Sequence, residues 1–456
     1  MQVDTLISGA TVITVDAERR VISDGAVAIA GGTIVAVGKR AEIEAQVQAR
    51  ETVDGRRFIL TPGFINGHVH VTETLIRGFL PEALPFDEEI GRWVIPLYEA
   101  HTAAEQIVST KLAIAAMLRS GTTTFLEAGT IIAFDAVMEA IADTGMRGIT
   151  GRWTMDRAFD PAADQIALTE TAVAALADDI ARYPQDGRLI AAWPILIGHN
   201  TASDALWQRA SALARETGCG VSAHMSPVAD DSNWYFANTG KRPIVHLDAL
   251  GVLGPHLNLV HMVHVDAAEV ALLAATGTNV THCPGAAIRT GLGTTAHGLF
   301  PEMAKAGINL LLGTDGAANH DMMRVMTLMA GLFKDAREDR EIFPAHQVLE
   351  MATINAAKAV GRAGSIGSIA VGMQADIVAH DSFRPEWQPI NDPVRQLVWS
   401  ADGRGVHSVW VGGRRVVEGF RCTTIDEEAL YAEARAAAAA VLERAGLPLR
   451  TAWPMS

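Results

Sequence analysis

The stretch Pro62-Gly63-Phe64-Ile65-Asn66-Gly67-His68-Val69-His70 decides the fold of this chain. It directly follows Phe58-Ile59-Leu60-Thr61, a run that is typical of a β-strand. Because side chains on an extended segment alternate between two faces, His68 and His70 point to the same side and can bind one metal ion together. Imidazole is the commonest protein ligand for zinc and also suits iron and nickel. A His-x-His pair alone is a weak signal, since two polar residues at the end of a strand would look the same.

Three further ligand-type residues each follow a largely apolar, strand-like run. They are His224 after residues 218–223, His261 after 257–260 and Asp315 after 309–314. Such runs fit strands that are buried on both faces of a parallel sheet. Helix-like stretches at 203–217 and 267–276 lie between them, which indicates βα units. In a (β/α)8 barrel the carboxyl ends of the strands converge on one site, so we predict an α/β chain with a TIM-like (β/α)8 barrel and a metal site at that end.

The two ends of the chain share a different pattern. Residues 1–60 show short strand signals, and similar signals return near 376–379 and 406–417, with Gly412-Gly413 as a hairpin turn. Thr424 and Glu427 have the spacing of a capping box, which predicts the start of a C-terminal helix. We therefore predict three parts. They are a small composite β-sandwich module from 1–60 and 366–424, a barrel at 61–365, and a C-terminal helix and tail at 425–456.

Composition excludes several classes of function. The chain has 456 residues and a formal net charge of −15, which argues against binding to nucleic acid or to an anionic membrane surface. Its three cysteines are far apart in sequence and favour a reducing compartment. There is no run of 18 apolar residues, and the N-terminus lacks the pattern of a signal peptide. We expect a cytoplasmic protein that acts on a small molecule.

Several motifs together carry a family resemblance. They are residues 62–70, Ser120-Gly121-Thr122-Thr123-Thr124, Val260-His261-Met262-Val263-His264, Leu312-Gly313-Thr314-Asp315-Gly316, Ala352-Thr353-Ile354-Asn355-Ala356-Ala357 and Gly372-Met373-Gln374-Ala375-Asp376-Ile377-Val378. With the split β module, they resemble the amidohydrolase superfamily over nearly the whole chain. The branch that looks most similar contains triazine hydrolases, cytosine and guanine deaminases, and adenosine-type deaminases that act on free nucleosides.

The resemblance implies roles for five side chains. His68, His70, His224 and Asp315 look like the metal ligands. His261 resembles the histidine that sits beside the attacking water, where it could orient that water, and Asp315 is also the candidate general base. Binuclear relatives carry a carboxylated lysine on the fourth strand, whereas residues 188–194 contain no lysine here. One divalent ion is therefore expected, with zinc first and iron or nickel as alternatives.

Two departures from the family pattern bear on the substrate. Many deaminases of this branch show His-x-x-Glu, whose glutamate moves a proton, but here His224 is followed three residues on by Pro227. Relatives also often show Pro-x-Ser-Asn-x-x-Leu in the segment that corresponds to the residues after His282, where this chain has Pro284-Gly285-Ala286-Ala287-Ile288-Arg289. Proline cannot move a proton. These changes weaken the case for purine or cytosine deamination and imply an easier leaving group or another acid.

Four residues are candidate substrate contacts. They are His199, His282, Asn319 and Glu73, each of which could equally form structural hydrogen bonds or face solvent. Asp230 and Asp231 could fold back toward the site and replace the missing acid, and Arg289 could meet an anionic group or pair with a carboxylate.

The simplest predicted function is a metal-dependent hydrolase of a non-peptide C–N bond, an aminohydrolase of an N-heterocycle that uses water activated by the ion. One alternative is a urea or carbamate amidohydrolase, or a hydrolytic dechlorinase, on the same site. A remote alternative is a non-catalytic metal-binding assembly protein. Relatives commonly form dimers or tetramers, so a homodimer or homotetramer is expected.

Overall fold

The computed structural model describes residues 1–158, 160, 162–316 and 319–453. Its strands are β1 (Gln2–Ile13), β2 (Val21–Ala30), β3 (Thr33–Lys39), β4 (Gln48–Asp54), β5 (Phe58–Pro62), β6 (Phe64–Val69), β7 (Thr122–Glu127), β8 (Arg147–Thr150), β9 (Ile190–Ala192), β10 (Ile195–Gly198), β11 (Val221–Met225), β12 (Leu257–His261), β13 (Asn279–His282), β14 (Leu310–Leu312), β15 (Ile377–Asp381), β16 (Val406–Val411), β17 (Arg414–Glu418) and β18 (Arg421–Cys422).

The helices fall mainly between strands β6 and β15 of the chain. They are α1 (Arg40–Glu44), α2 (Phe86–Glu89), α3 (Ile95–Glu99), α4 (Ala103–Arg119), α5 (Phe134–Thr144), α6 (Gln165–Arg182), α7 (Asp204–Thr217), α8 (Ala229–Thr239), α9 (Pro243–Ala249), α10 (Ala267–Thr276), α11 (Pro284–Arg289), α12 (Thr294–His297), α13 (Phe300–Lys305), α14 (Met322–Ala336), α15 (Ala345–Met351), α16 (Ile354–Ala359), α17 (Pro393–Trp399) and α18 (Glu427–Ala445). A 3₁₀ turn at Val71–Ile76 follows β6, and a π-helical turn at Ile90–Val94 links α2 to α3.

Two parallel sheets form the centre of the molecule. One has the order β6-β7-β8-β9 and the other the order β10-β11-β12-β13-β14, and every neighbouring pair runs parallel. Only Trp193 and Pro194 separate β9 from β10 along the chain. At the other side, Val69 and Asp315 form a parallel bridge between the last residue of β6 and the segment after β14. The predicted α/β class with parallel strands is confirmed.

The two ends of the chain meet in one nine-stranded sheet, which we call the end sheet. Its order is β18-β17-β16-β15-β5-β1-β2-β3, with β4 pairing β1 as well. The first half of β1 pairs with β4 and its second half with β5, so β1 changes partner between Ser8 and Thr11. β5 pairs with β15 and then leads within two residues into β6. This connection places the His68 strand directly after the end sheet, and the exact module boundaries at 60, 366 and 424 stay a prediction.

The start of the C-terminal helix differs from the prediction. The cap of α18 is Asp426, whose side chain accepts hydrogen bonds from the backbone of Glu428 and Ala429. Thr424 instead donates its hydroxyl to the carbonyl of Thr144, so the prediction of a Thr424 cap is wrong. An Asp cap competes well with a Thr cap because both offer an oxygen to the free backbone N–H groups. Gly446 ends the helix in the left-handed region, which glycine adopts readily.

Among the described residues, no helix combines the length and the apolar character that crossing a bilayer requires.

Candidate metal centre

Four histidines from three strand ends come together in one buried place. His68 and His70 lie at the end of β6, His224 in β11 and His261 at the end of β12. The ring centre of His68 is 5.0 Å from that of His70, 4.8 Å from that of His224 and 5.7 Å from that of His261. The alternation of side chains along β6 thus brings both of its histidines to the same side, and the parallel pairing brings the others to the same edge.

The Asp315 carboxylate lies among these rings. Its Oδ1 is 3.0 Å from Nε2 of His70 and 3.6 Å from Nε2 of His68, and its Oδ2 is 3.9 Å from Nε2 of His261. Nε2 of His224 lies 3.4 Å from Nε2 of His70. The donor atoms of His68, His224 and His261 are all within 4.8 Å of one another. The nitrogen and carboxylate donors therefore face a common point.

The donor atoms fit a divalent cation. Among the described residues, neither ring nitrogen of His68 has a hydrogen-bond partner, although the side chain is buried. Burial lowers the pKa of His68 and holds that of His261 at about 3, so both rings are in the neutral form that binds metals. Burial also lowers the pKa of His70, but the Glu73 and Asp315 carboxylates outweigh it and raise that pKa to about 9. This pocket therefore attracts positive charge, which a metal ion would supply.

The second ring nitrogen of His224 is fixed by the backbone. Its Nδ1 lies 2.8 Å from the carbonyl oxygen of Ile197 at the end of β10. Because a carbonyl only accepts, Nδ1 carries the proton and donates it, and Nε2 keeps its lone pair toward the other donors.

Strained backbone surrounds the site. Asp315 has φ 63°, His261 has φ 77°, Met262 has φ 51°, His199 has φ 51° and Ser226 has φ 53°. Residues other than glycine seldom adopt these values, and such strain is concentrated at functional sites. Each of the five lies at or just after the carboxyl end of a parallel strand, which supports one functional centre at that edge.

Two of the four candidate substrate contacts lie next to the candidate metal ligands. The ring of His199 stacks on that of His224 at 5.6 Å, and its Nδ1 lies 2.8 Å from Asp231 Oδ2. The ring of Phe86 in α2 also lies near that of His199, with ring centres 6.1 Å apart. Glu73 is buried and its Oε1 lies 3.2 Å from Nδ1 of His70. The Asp231 carboxylate therefore contacts Nδ1 of His199, and the Glu73 carboxylate contacts Nδ1 of His70.

The other two candidates differ from each other. His282 is buried at the end of β13, stacks on Phe300 at 3.9 Å and has Nε2 3.3 Å from the Thr294 hydroxyl. Asn319 is exposed, and its side-chain oxygen accepts a hydrogen bond from the backbone of Asp321 just before α14. Their roles toward a substrate stay predictions. Arg289 pairs with Glu89 at 3.3 Å, the alternative that the sequence left open.

Three residues near the site were not identified from the sequence. Glu127 is the last residue of β7, and burial raises its pKa to about 7 although a Thr130 hydrogen bond opposes this. Cys283 follows β13, and its sulfur lies within 4.8 Å of donor atoms of His68 and Asp315. Tyr98 of α3 donates a hydrogen bond to Glu73. Glu127 could have been found by the rule that found the ligands, because it follows the strand-like run 122–126.

Comparison with known proteins identifies the family of this chain. The model of the Amidohydrolase family matches residues 59–416. The chain belongs to the amidohydrolase family. It is a metal-dependent hydrolase that acts on carbon–nitrogen bonds other than peptide bonds, which confirms the class of enzyme predicted from the sequence.

Two kinds of relative cover almost the entire chain. The 5-methylthioadenosine/S-adenosylhomocysteine deaminase of Syntrophobacter fumaroxidans is 32% identical over 440 residues, which are 95% of this chain and 97% of that protein. The crystal structure of an adenosine deaminase from Xanthomonas campestris, with bound zinc, is 30% identical with a TM-score of 0.88 and covers 97% of this amidohydrolase and 99% of that chain.

A third relative shares the fold. The atrazine chlorohydrolase TrzN from Arthrobacter aurescens, complexed with zinc, is 24% identical with a TM-score of 0.87, covering 95% of this chain and 100% of the other.

Proposed function

We propose that this amidohydrolase removes an amino group from a small N-heterocycle, with release of ammonia. The observation that carries the proposal is the convergence of the His68, His70 and His261 nitrogens on the Asp315 carboxylate. Relatives at 30–32% identity that are named as deaminases of adenosine compounds support the same reaction class. Water adds to the ring carbon that bears the amino group. One proton of the water passes to the amino group, the C–N bond breaks and ammonia leaves, while the ring keeps the oxygen and the other proton.

The proposed centre holds one divalent ion, zinc first, with His68, His70, His224 and Asp315 as its ligands. A bound divalent ion lowers the pKa of water so that it can attack an electron-poor carbon near neutral pH. Asp315 can accept the proton of that water at its carboxylate, and His261 can hold the water in line through Nε2. His199, fixed by Asp231, offers its Nε2 to the ring of the substrate. The bound zinc of the Xanthomonas campestris relative supports this choice of metal.

The architecture that supports this site is proposed to be one closed (β/α)8 barrel with a β-sandwich module. The short link of Trp193 and Pro194 between β9 and β10, and the bridge between Val69 and Asp315, support closure at both junctions of the two parallel sheets. A cytoplasmic location and a homodimer or homotetramer stay predictions.

A second candidate function has a specific observation in its favour. The residue three positions after His224 is Pro227, so the acid that many deaminases of this branch carry at that position is missing. A urea, a carbamate or a halogenated ring offers a leaving group that demands less protonation. Hydrolysis of such a substrate on the same centre is therefore the alternative, and a non-catalytic metal-binding protein is the remote one.

The experiment that tests the proposal measures product release by the zinc-loaded full chain. The panel contains amino-substituted purines, pyrimidines and triazines with their nucleosides, followed by ureas, carbamates and chlorotriazines, with ammonia, amine and chloride assayed separately. The proposal is supported if the original chain releases ammonia from an N-heterocycle and His261→Ala, which retains its metal, does not. Chloride or alkylamine without ammonia supports the second candidate. Stoichiometric metal with no turnover on the panel would favour the non-catalytic reading.

A further inference from the structure

Two buried residues, Glu73 and Tyr98, lie beside Nδ1 of His70, a candidate metal ligand. Its Nδ1 lies 3.2 Å from Oε1 of Glu73, and the hydroxyl of Tyr98 donates to that same oxygen. The Tyr98 oxygen is itself 3.5 Å from Nδ1 of His70. On its other side, Nε2 of His70 lies 3.0 Å from Asp315. All of these side chains are buried or nearly so, which leaves the ring of His70 little freedom to turn.

The backbone beside Asp315 is shaped to admit Glu73. A Cβ atom on Gly316 would lie 1.8 Å from Oε2 and 2.4 Å from Cδ of Glu73. The φ of Gly316 is not in the left-handed region that favours glycine, so its backbone alone would allow other residues. The Glu73 carboxylate thus fills the space that any side chain at 316 would need, and it contacts both His70 and the residue that follows Asp315.

The chemistry of imidazole gives this contact a consequence. A carboxylate beside Nδ1 accepts the N–H there, so the lone pair is left on Nε2, the atom that faces the other donors. A hydroxyl that donates to the same carboxylate fixes where its oxygen lies. Tyr98 belongs to the segment from α2 to α3, whose Phe86 also meets His199.

We propose that Glu73 and Tyr98 are positioning residues for His70, which orient its ring and thereby set how tightly the metal ion is bound. Their effect reaches the ion through His70 and needs no contact with the substrate. This inference rests on the proposed metal site at His68, His70, His224 and Asp315, and it assigns to Glu73 a role other than the substrate contact predicted from the sequence.

The test measures binding of Co²⁺ to the metal-free full chain, by competition with a chelating dye and from the visible absorption of the bound ion. Loss of a carboxylate that orients a ligating histidine costs about 10–100-fold in metal affinity. Glu73→Ala is expected in that range. Glu73→Gln keeps an oxygen at the same place and Tyr98→Phe removes only the hydroxyl, so each is expected to lose less and to change the Co²⁺ spectrum.

Tyr235→Phe is the matched control. Tyr235 is also buried, and it donates to the backbone oxygen of His199 rather than to a group that touches His70. It is expected to bind Co²⁺ as the original chain does. Far-UV circular dichroism in excess chelator checks that each variant folds, and where Glu73→Ala does not fold, the two milder variants decide.

Unchanged Co²⁺ affinity and an unchanged spectrum in both Glu73→Gln and Tyr98→Phe would overturn the positioning role while leaving the metal site intact. Failure of the original chain to bind Co²⁺, Zn²⁺ or Ni²⁺ would instead overturn the metal site and this inference together.

Discussion

The ion pair between Arg147 and Asp376 joins the first residue of β8 to the residue before β15, and so joins the parallel strands to the end sheet. Nε and Nη2 of Arg147 lie 2.7 and 3.0 Å from the two oxygens of Asp376, and both residues are at most 3% exposed. Apart from Arg147, the described hydrogen bonds to the Asp376 carboxylate come from the backbone of Gly412 at 2.7 Å. Arg147→Met therefore leaves a buried carboxylate with one donor.

The expected cost follows from that geometry. Removing one partner of a buried, hydrogen-bonded ion pair typically costs about 3–5 kcal/mol, because the other charge stays buried. For a chain of 456 residues the entropy of unfolding at the midpoint is about 1 kcal/mol per kelvin, so Tm should fall by about 3–5 °C. Adding Asp376→Leu removes the stranded charge and should restore more than half of the loss.

The assay is differential scanning calorimetry at one scan rate and one protein concentration. Arg404→Met is the matched control, since Arg404 also contacts both oxygens of its partner Asp402, but the arginine side chain is 85% exposed. An exposed pair is worth at most about 1 kcal/mol, or about 1 °C here. If Arg147→Met lowered Tm no more than Arg404→Met does, the reasoning about burial would be refuted.

Three further predictions concern the site and the helices. Asp315→Asn should abolish product release without changing the far-UV circular dichroism, and a near-normal rate would remove Asp315 from the site. Gly316→Ala should lower the free energy of unfolding by about 1–3 kcal/mol, because the new methyl group overpacks against Glu73. The double variant Gly316→Ala with Glu73→Ala should recover most of the lost Tm. Equal Tm values in the single and the double variant would contradict the clash. Burial raises the pKa of Glu105, but hydrogen bonds from Arg444 and Thr102 lower it to about 2. The stability that these hydrogen bonds to the ionised Glu105 carboxylate contribute is fully present above the ordinary pKa of 4.5, and it is lost as the pH falls through 2. Arg444→Ala should therefore lower Tm at pH 7 and lower it much less at pH 2, as thermal melts at the two pH values would show. An equal loss at both would exclude this cause.

The parts of the site that the sequence predicted depend on local rules. Alternation along a strand places His68 and His70 on one side, and parallel strands end at a common edge, so ligand-type residues that follow apolar runs must meet there. The same rule holds at Glu127, which was overlooked because no motif drew attention to it. These rules need only the residue type and its position in a strand.

What the sequence could not predict depends on contacts between distant segments. Glu73 lies in a 3₁₀ turn after β6, and its partner Tyr98 is 25 residues away, beyond a π-helical turn that no sequence rule predicts. Glu73 therefore looked like a solvated loop carboxylate or a substrate contact. Asn319 was predicted as a substrate contact from its strand position, and the contact that the sequence did not indicate is the hydrogen bond that its side-chain oxygen accepts from the backbone of Asp321 before α14.

The turn after β11, which contains Pro227, holds the Asp231 carboxylate near the site although position 227 itself offers no acid. Ser226 has φ 53° and its backbone N–H donates to Asp231 Oδ2 at 2.8 Å, the same oxygen that meets Nδ1 of His199. Many deaminases of the branch that the sequence resembles carry a glutamate at the position of Pro227, whereas here the Asp231 carboxylate lies next to the ring of His199. Asp231 and Glu73 then stand in equivalent relations to His199 and His70, each accepting from Nδ1 and leaving Nε2 toward the centre. Because both carboxylates are engaged with histidines in this way, the group that protonates the leaving ammonia in the proposed reaction is a residue other than Asp231 or Glu73, or else the substrate carries a leaving group that needs no such proton.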